Sequence, residues 1–111
     1  MEPKAMIIVY VTVPNQQVAD DLSAEILRLR LAACVNAIPQ MVSRYWWKEK
    51  LECSNEWILL IKTLDHLYED LCACIIQQHP YQIPCILKIP VSGGHPPFLA
   101  WINQETKAAP P

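Results

Sequence analysis

Apolar runs and amphipathic segments alternate along this chain, and their periodicity predicts its elements. Residues 5–13 form a β-branched apolar run that is typical of a buried strand. Asn15 follows as a helix N-cap, because its side chain can accept a hydrogen bond from a free backbone N–H of the first turn. The helix repeats its apolar residues at three- and four-residue spacing, which places them on one face: Val18, Leu22, Ile26 and Leu29.

A long antiparallel hairpin is predicted next. Its first strand begins near Ala32 and runs to Trp47. Pro39 should mark an edge or a bulge in this strand, because proline cannot donate a hydrogen bond to a sheet ladder. The charged residues 48–50 suit the turn, and residues 51–63, which contain the apolar run W-I-L-L-I, form the return strand.

A second helix and a fourth strand follow the hairpin. Asp65 is the expected N-cap of this helix. The helix should end by Gln78, because Pro80 disfavours helical geometry at the residue before it. Residues 84–91 suit a short strand that is confined by its prolines, and residues 93–97 suit a turn.

The order β-α-β-β-α-β with a C-terminal helix predicts an α+β fold of the ferredoxin-like type, with both crossover helices on one face of an antiparallel sheet. Residues 1–111 form one domain, with its core in residues 5–106 and a frayed tail at residues 107–111. The other sheet face is left bare. The third helix should turn three apolar residues inward: Phe98, Trp101 and Ile102.

Composition adds an expectation of self-association. The chain has 111 residues, of which 52% are hydrophobic and 18% are charged, a low share of charge for one small domain. Some apolar surface is therefore expected to enter an interface. The net charge of -2 argues against nucleic-acid binding, which needs a concentrated basic patch. The apolar runs are shorter than a membrane span, so no direct membrane insertion is expected.

Cysteine usage bears on the compartment. The chain has five cysteines, an odd number, and their spacing contains no C-x-x-C pair. Residues 1–5 show no secretory h-region with a cleavage site. Reduced thiols in the cytoplasm are therefore expected. A processed precursor would have the same features.

The candidate chemistry is sparse, and no enzymatic activity is expected. Nucleophilic catalysis needs an activated serine or cysteine, and the sequence contains no G-x-S-x-G elbow and no recognisable histidine partner pattern. Cys72 and Cys74 lie two residues apart on a predicted helix, so their side chains diverge by roughly 200° and cannot chelate one ion. Cys74 is expected in the core and Cys72 at the surface.

His79 admits two interpretations. It follows the second helix, where the helix dipole favours a histidine at the C-terminus. Alternatively it binds a metal, because neutral imidazole suits copper and zinc and Cys85 is a short loop away. Two ligands do not close a site, so a further ligand would come from another subunit, water, Cys53 or Cys34.

Aromatic residues near the hairpin turn indicate an interface. Adjacent strand residues face opposite sides, so Trp46 and Trp47 cannot both be buried by one sheet face. Together with Tyr45 they favour a partner, since Trp and Tyr are enriched in interface cores. Lys62, followed by Thr63, is either solvated or beside a cleft that binds an anionic ligand.

Six short motifs in order resemble the CutA divalent-cation tolerance family, over residues 6–105. They are A-A-C-V-N at residues 32–36, I-P-Q at 38–40, Y-W-W-K-E-K-L at 45–51, I-K-T at 61–63, H-P-Y-Q-I-P at 79–84 and F-L-A-W-I at 98–102.

This resemblance implies a tight homotrimer whose long hairpins extend over neighbouring subunits. It also implies a role in tolerance of divalent metals, copper above all, without an established enzymatic activity. Animal relatives are linked to anchoring of acetylcholinesterase, which implies a scaffold or trafficking role with a protein partner. The similarity of the trimer to PII signalling proteins implies small-ligand binding between subunits. The implied interface or cleft residues are Tyr45, Trp46, Trp47, Lys62, Thr63, Tyr81 and Trp101.

The family's metal positions match only in part. His79 matches the histidine of the family's H-P-Y motif, but Cys85 stands where family members usually carry glutamate, and Val11 stands where some carry a cysteine. A thiolate in place of a carboxylate predicts a preference for Cu(I) or Zn(II) over harder ions at His79 and Cys85. Glu49 stands where the hairpin turn of the family commonly has glycine.

Overall fold

A single antiparallel sheet organises residues 5–108, the part of the chain that the computed structural model describes. The elements in chain order are β1 (Met6–Val13), α1 (Gln16–Arg28), β2 (Cys34–Trp47), β3 (Lys50–Leu64), a 3₁₀ turn (Asp65–Leu67), α2 (Tyr68–Gln78), β4 (Ile86–Pro90) and α3 (Pro96–Glu105). The strand order is β2-β3-β1-β4. The predicted ferredoxin-like α+β topology is confirmed, and the predicted strand bounds agree within two residues.

The main core lies between the sheet and the helices α1 and α2. Side chains alternate between the faces of a strand, so the odd-numbered residues of β1 point to these helices. Val9 and Val11 are fully buried there, against Leu22 and Ile26 of α1 and Ile75 of α2. The predicted cap of α1 is confirmed, since the Asn15 side chain accepts a hydrogen bond from the backbone N–H of Val18 at 2.9 Å.

A β-bulge interrupts β2, as Pro39 predicted. Ile38 pairs with Ile58 and Met41 pairs with Glu56, so β2 advances three residues while β3 advances two. Gln40 lies inside the bulge with a positive φ of 63°. The extra residue reverses the alternation of β2, because side chains switch faces with every residue. After the bulge, the odd-numbered residues of β2 therefore share a face with the even-numbered residues of β3.

The hairpin closes with a two-residue loop. Trp47 pairs with Lys50, which leaves Lys48 and Glu49 as the loop, one residue shorter than the predicted turn. Their φ values are 49° and 68°. This is the φ pattern of a type I′ turn, the loop that matches the twist of paired strands.

The expected N-cap at Asp65 is wrong. Asp65 begins a 3₁₀ turn, and α2 begins only at Tyr68, with no side-chain cap. The Asp65 carboxylate instead accepts a hydrogen bond from Lys88 Nζ of β4 at 3.0 Å. The predicted end of this helix at Gln78 is confirmed.

The third helix buries less than its pattern predicted. Ile102 of α3 is fully buried against Met6 and Leu64, at one end of the sheet face that α1 and α2 do not cover. Phe98 and Trp101 remain 38% and 40% exposed, so the expectation that three apolar residues face inward is wrong in the single chain.

The predicted frayed tail needs a correction at its first residue. The backbone N–H of Lys107 donates a hydrogen bond to the carbonyl of Arg30 at 2.8 Å, which ties the chain to the end of α1. The rest of that prediction falls largely on residues 109–111, which lie outside the described residues.

Beyond α3, the second sheet face is open in the single chain. Its side chains are largely apolar, and two of them on β4, Leu87 and Ile89, are 56% and 44% exposed. Tyr10, which pairs with Leu87 and with Leu60, lies between β4 and β3. This exposed apolar face agrees with the self-association expected from composition. Among the described residues, no helix is long and apolar enough to cross a membrane.

Candidate functional site

A cavity of about 520 Å³ lies on the open sheet face, where the hairpin leaves the sheet. Strands β1, β2 and β3 and the segment before β4 all contribute to it. Its lining residues are Tyr10, Thr12, Met41, Ser43, Arg44, Tyr45, Trp47, Glu56, Tyr81, Gln82, Ile83 and Cys85.

The bulge in β2 decides which side chains of the hairpin line this cavity. Without the extra residue, the alternation from Ile38 would place Trp46 on the cavity side. With it, Tyr45 and Trp47 line the cavity, while Trp46 lies on the opposite side and is 73% exposed. The expectation that one of the two tryptophans is exposed or covered by a partner is confirmed.

His79 anchors the segment that carries the other wall. Its ring is buried, and its Nδ1 atom accepts a hydrogen bond from the backbone N–H of Tyr81 at 3.1 Å. The proton therefore lies on Nε2, which donates to the carbonyl oxygen of Thr12 at 2.7 Å. The two bonds hold the turn after α2 against β1. The ring contacts a strand carbonyl and not the last carbonyls of α2, which the dipole interpretation would favour.

Tyr81 joins this turn to the hairpin. Its hydroxyl donates a hydrogen bond to Oε2 of Glu56 at 2.9 Å, and its ring centroid lies 4.7 Å from that of His79. Burial raises the pKa of the Tyr81 phenol, and the hydrogen bond to the Glu56 carboxylate raises it further. The phenol thus stays protonated and keeps donating to Glu56.

The Cys85 thiol lies in the same electrostatic environment. Burial raises its pKa most, the negative charge of Glu56 raises it further, and a hydrogen bond with Thr12 opposes both. A thiolate, not a thiol, is the metal ligand. Cys85 can therefore bind a metal only if the thiol releases its proton to solvent as the cation binds, which makes binding dependent on pH.

The structure brings only part of the predicted metal site together. Cys85 lines the cavity, whereas His79 does not. Within residues 5–108 no group of three or more His, Cys, Asp or Glu side chains is placed to hold an ion. Cys34 contacts Asn36, and Cys53 is exposed on the side of the hairpin away from the cavity, so neither supplies a third ligand there.

The remaining cysteines follow the prediction in part. Cys74 is buried in the core between the sheet and the helices, as expected. Cys72 is half-buried and not fully at the surface.

The predicted interface residues do not all lie at the cavity. Tyr45, Trp47 and Tyr81 line the cavity. Thr63 is fully buried, and its hydroxyl donates to the carbonyl of Leu31 at 2.7 Å, so its placement at an interface or cleft is wrong. Lys62 lies beyond the cavity, with its Nζ atom 5.6 Å from the ring centroid of Phe98.

Two site residues escaped the sequence analysis. Glu56 is only 6% exposed, although it is acidic and lies on a long hairpin. Thr12 is also buried and contacts both His79 and Cys85. The signal for Glu56 is its place directly before the apolar run W-I-L-L-I, where an acidic residue in a strand needs a partner to be tolerated.

Comparison with known proteins decides the family. The family model described as CutA1 divalent ion tolerance protein matches residues 7–105. The chain belongs to the CutA family. A CutA protein of Mus musculus is 39% identical over 106 residues, which are 96% of this chain. The divalent-cation tolerance protein CutA of an Escherichia coli strain is 38% identical over 103 residues, covering 93% of this chain and 92% of that protein.

Solved CutA structures share the fold. CutA1 from Oryza sativa superimposes with a TM-score of 0.94 at 36% identity, covering 96% of this chain and 98% of that one. CutA1 from Thermus thermophilus gives 0.90 at 33% identity, covering 92% and 99%. The chain spans 56 to 62% of the length of the animal and plant CutA proteins that it matches, including 60% of the mouse protein.

Proposed function

We propose that this CutA chain acts as a non-enzymatic homotrimer in divalent cation tolerance, and that it holds a soft metal ion, Cu(I) or Zn(II), at an open site formed by Cys85 and His79. The placement of Cys85 and Glu56 in one cavity beside the segment anchored by His79 carries this proposal. A thiol, an imidazole and a nearby negative charge together favour a soft cation.

The trimer is supported by the open apolar sheet face. Leu87 and Ile89 alone leave about half of their side-chain surface in contact with water in the single chain. Burying such a face against identical copies stabilises an assembly in proportion to the apolar area removed from water. In a closed symmetric oligomer every subunit uses the same patches of its surface, so the same apolar residues are buried on each chain.

The hydrogen bonds of His79 limit the ways in which its ring could bind a metal. Its Nε2–H donates to the carbonyl of Thr12, the contact that commonly orients a metal-binding imidazole. Its Nδ1 lone pair accepts from the N–H of Tyr81, so a metal at Nδ1 must displace that bond. The site is thus open and weak in one chain, with further ligands supplied by water or by a neighbouring subunit.

An anaerobic Cu(I) titration against a chromophoric competitor tests the metal site. We expect about one ion per subunit, binding that weakens as the pH falls because the Cys85 thiol must lose its proton, and roughly 10- to 100-fold weaker binding in Cys85→Ser. Cys53→Ser is the matched control, since Cys53 is exposed on the other side of the hairpin.

Binding that Cys85→Ser leaves unchanged would remove the metal site from the proposal. Equal affinity for Mn(II) and Cu(I) would contradict the preference for soft ions, because a thiol and an imidazole discriminate against hard cations.

A protein partner is a second candidate, and the surface of the hairpin that faces away from the cavity favours it. Val42, Trp46 and Leu51 lie on that surface with 50%, 73% and 66% of their area exposed. Trp is enriched in interface cores and among the residues that contribute most of the binding energy. In this role the protein is a scaffold or trafficking module, and partner binding survives in His79→Ala and Cys85→Ser.

Two finer predictions accompany these proposals. A PII-like site for small anions at Lys62 would lie beside Phe98, whose ring the ammonium group approaches. A cytoplasmic location is supported by the five cysteines, all of which are free thiols.

A further inference from the structure

Glu56 is a buried negative charge without a cationic partner. Its side chain is only 6% exposed, and glutamate is almost never buried unless it is paired. The ion pairs within residues 5–108 join Arg28 to Glu25, Arg30 to Glu105 and Lys88 to Asp65, so none of them neutralises Glu56. The Tyr81 hydroxyl donates a hydrogen bond to Glu56 but brings no positive charge.

Glu56 lies in the wall of the cavity, with the Tyr81 hydroxyl as the hydrogen-bond partner of its Oε2 atom. A carboxylate in a cavity wall raises the local concentration of cations.

Aromatic side chains also line the cavity. Tyr10, Tyr45, Trp47 and Tyr81 line the same cavity as Glu56. The faces of aromatic rings attract cations, and rings grouped around one space are the usual binding site for quaternary and other organic ammonium groups. The cavity volume of about 520 Å³ falls in the range of small-molecule sites.

We infer that this cavity binds a small organic ammonium ion, with Glu56 as its counter-ion and with Tyr10, Tyr45, Trp47 and Tyr81 as the surrounding rings. The inference goes beyond the proposed metal function, because its ligand is an organic cation held by aromatic rings, which uses neither His79 nor a thiolate of Cys85.

Two other cations are relevant to this cavity. A metal ion needs several ligands, and because no group of three or more His, Cys, Asp or Glu is placed to hold one within the described residues, the proposed metal at Cys85 depends on further ligands from water or a neighbouring subunit. Arg44 is the second cation, and it also lines the cavity. In the alternation of β2, however, it belongs to the residues of the opposite face, and it forms no ion pair with Glu56. An organic ammonium ion needs one counter-charge and apolar walls, which is what the cavity offers.

A titration with tetramethylammonium chloride tests the inference on the full 111-residue chain. Carbon-13 labelling of the methionine methyl groups provides a local probe, the signal of Met41. Met41 lines the cavity, and its sulfur accepts a hydrogen bond from the Tyr10 hydroxyl at 3.5 Å. Met6, buried against Leu64 and Ile102, is the internal control. We expect a saturable shift of the Met41 signal alone, and none with neopentyl alcohol, an uncharged analogue of similar shape.

Variants separate charge from shape. Glu56→Gln should weaken tetramethylammonium binding about tenfold or more, because the counter-charge is lost while the shape is kept. Trp47→Leu should also weaken it, whereas Trp46→Leu, on the opposite side of the same strand, should not. Each variant is compared at the same oligomeric state.

The inference is overturned if the Met41 signal does not saturate with tetramethylammonium. It is equally overturned if neopentyl alcohol binds as well, or if Glu56→Gln and Trp47→Leu both leave the affinity unchanged. A side chain of a neighbouring subunit that neutralises Glu56 would give the first of these results. Trp47→Leu removes no proposed metal ligand, so it should weaken ammonium binding while Cu(I) binding is kept, and failure of the metal site and failure of the ammonium site are distinguishable.

Discussion

At the scale of single residues, Glu56 and His79 show how buried polar groups organise this protein. His79 uses both ring nitrogens to tie the turn after α2 to β1, and Tyr81 passes that connection on to Glu56. Each of these groups is costly to bury alone, because an unpaired polar group loses its hydrogen bonds to water. Glu56 alone among them carries a net charge that no described ion pair balances.

The raised pKa of Cys85 predicts a loss of stability at alkaline pH. Its pKa in the folded chain lies above the ordinary value of 9.0, so the folded state holds its proton more tightly than the unfolded state. This contribution to stability is complete below pH 9 and is lost as the pH rises through the folded pKa. We expect the free energy of unfolding, measured by urea denaturation across this range, to fall less steeply in Cys85→Ser.

The control for this prediction is Cys53→Ser, which removes an exposed thiol of the same chain. Its stability should follow the alkaline profile of the wild type. An unchanged slope in Cys85→Ser would assign the alkaline loss to other groups with raised pKa values, of which Cys74 and Tyr10 are two.

At the scale of elements, three residues of the hairpin, one in the bulge and two in the loop, have a positive φ that is unfavourable for L-residues. Gln40 has a φ of 63° in the bulge, and the loop residues Lys48 and Glu49 have φ values of 49° and 68°. The first sets the face on which Tyr45 and Trp47 lie, and the second closes the hairpin in register. Local strain is thus accepted where it positions the aromatic residues of the cavity.

Relief of this strain is measurable at the turn. Glu49→Gly should raise the stability by about 1 kcal/mol, because glycine adopts a positive φ without the steric cost that other residues bear. Thermal denaturation followed by circular dichroism tests this change. Lys50→Gly is the control, since Lys50 begins β3 and has no positive φ.

The two substitutions should change the melting temperature in opposite directions, because glycine within a strand is destabilising. A melting temperature that Glu49→Gly leaves unchanged would mean that the backbone at this turn is not strained.

At the scale of the whole molecule, the distribution of burial is one-sided. The sheet face under α1 and α2 is fully packed, while the other face is covered at one end by α3 and is otherwise open and apolar. The hairpin extends past the end of β1, whose last residue Val13 pairs with Trp57 of β3, and the long axis of the molecule reaches 50 Å. Such a protruding, apolar surface is suited to assembly with identical chains.

Assembly through this face should depend on apolar burial more than on charge. We expect the proposed homotrimer to persist at about 1 M NaCl, where interactions between charges are screened within about 3 Å while the hydrophobic effect remains. Sedimentation or light scattering measures the mass. Leu87→Asp, on the open face, should dissociate the trimer.

Ile76→Asp is the matched control for the assembly. Ile76 is exposed to a similar extent, 60% against 56% for Leu87, but lies on the outer side of α2. Ile76→Asp should leave the mass of the assembly unchanged. Dissociation into monomers in high salt, or an equal effect of the two substitutions, would contradict assembly through the open face.

Much of the fold could be predicted from periodicity and punctuation in the sequence. Alternating apolar runs, the cap at Asn15, the stop at Pro80 and the interruption at Pro39 are local signals, and each is confirmed. Where a competing long-range contact exists, the local signal fails. Asp65 contacts Lys88 across the chain and does not cap α2, and Phe98 of α3 stays 38% exposed with Lys62 Nζ 5.6 Å from its ring centroid.

The topology, the hairpin, the family motifs and the list of reactive side chains follow from the sequence alone, because these depend on spacing along the chain. Which of those side chains meet depends on the tertiary structure. The bulge placed Trp47 in the cavity and Trp46 outside it, the sheet register brought Glu56 to Tyr81, and the paired nitrogens made His79 an anchor. Such contacts join residues far apart in sequence, and their pairing depends on register and burial, which local patterns do not encode.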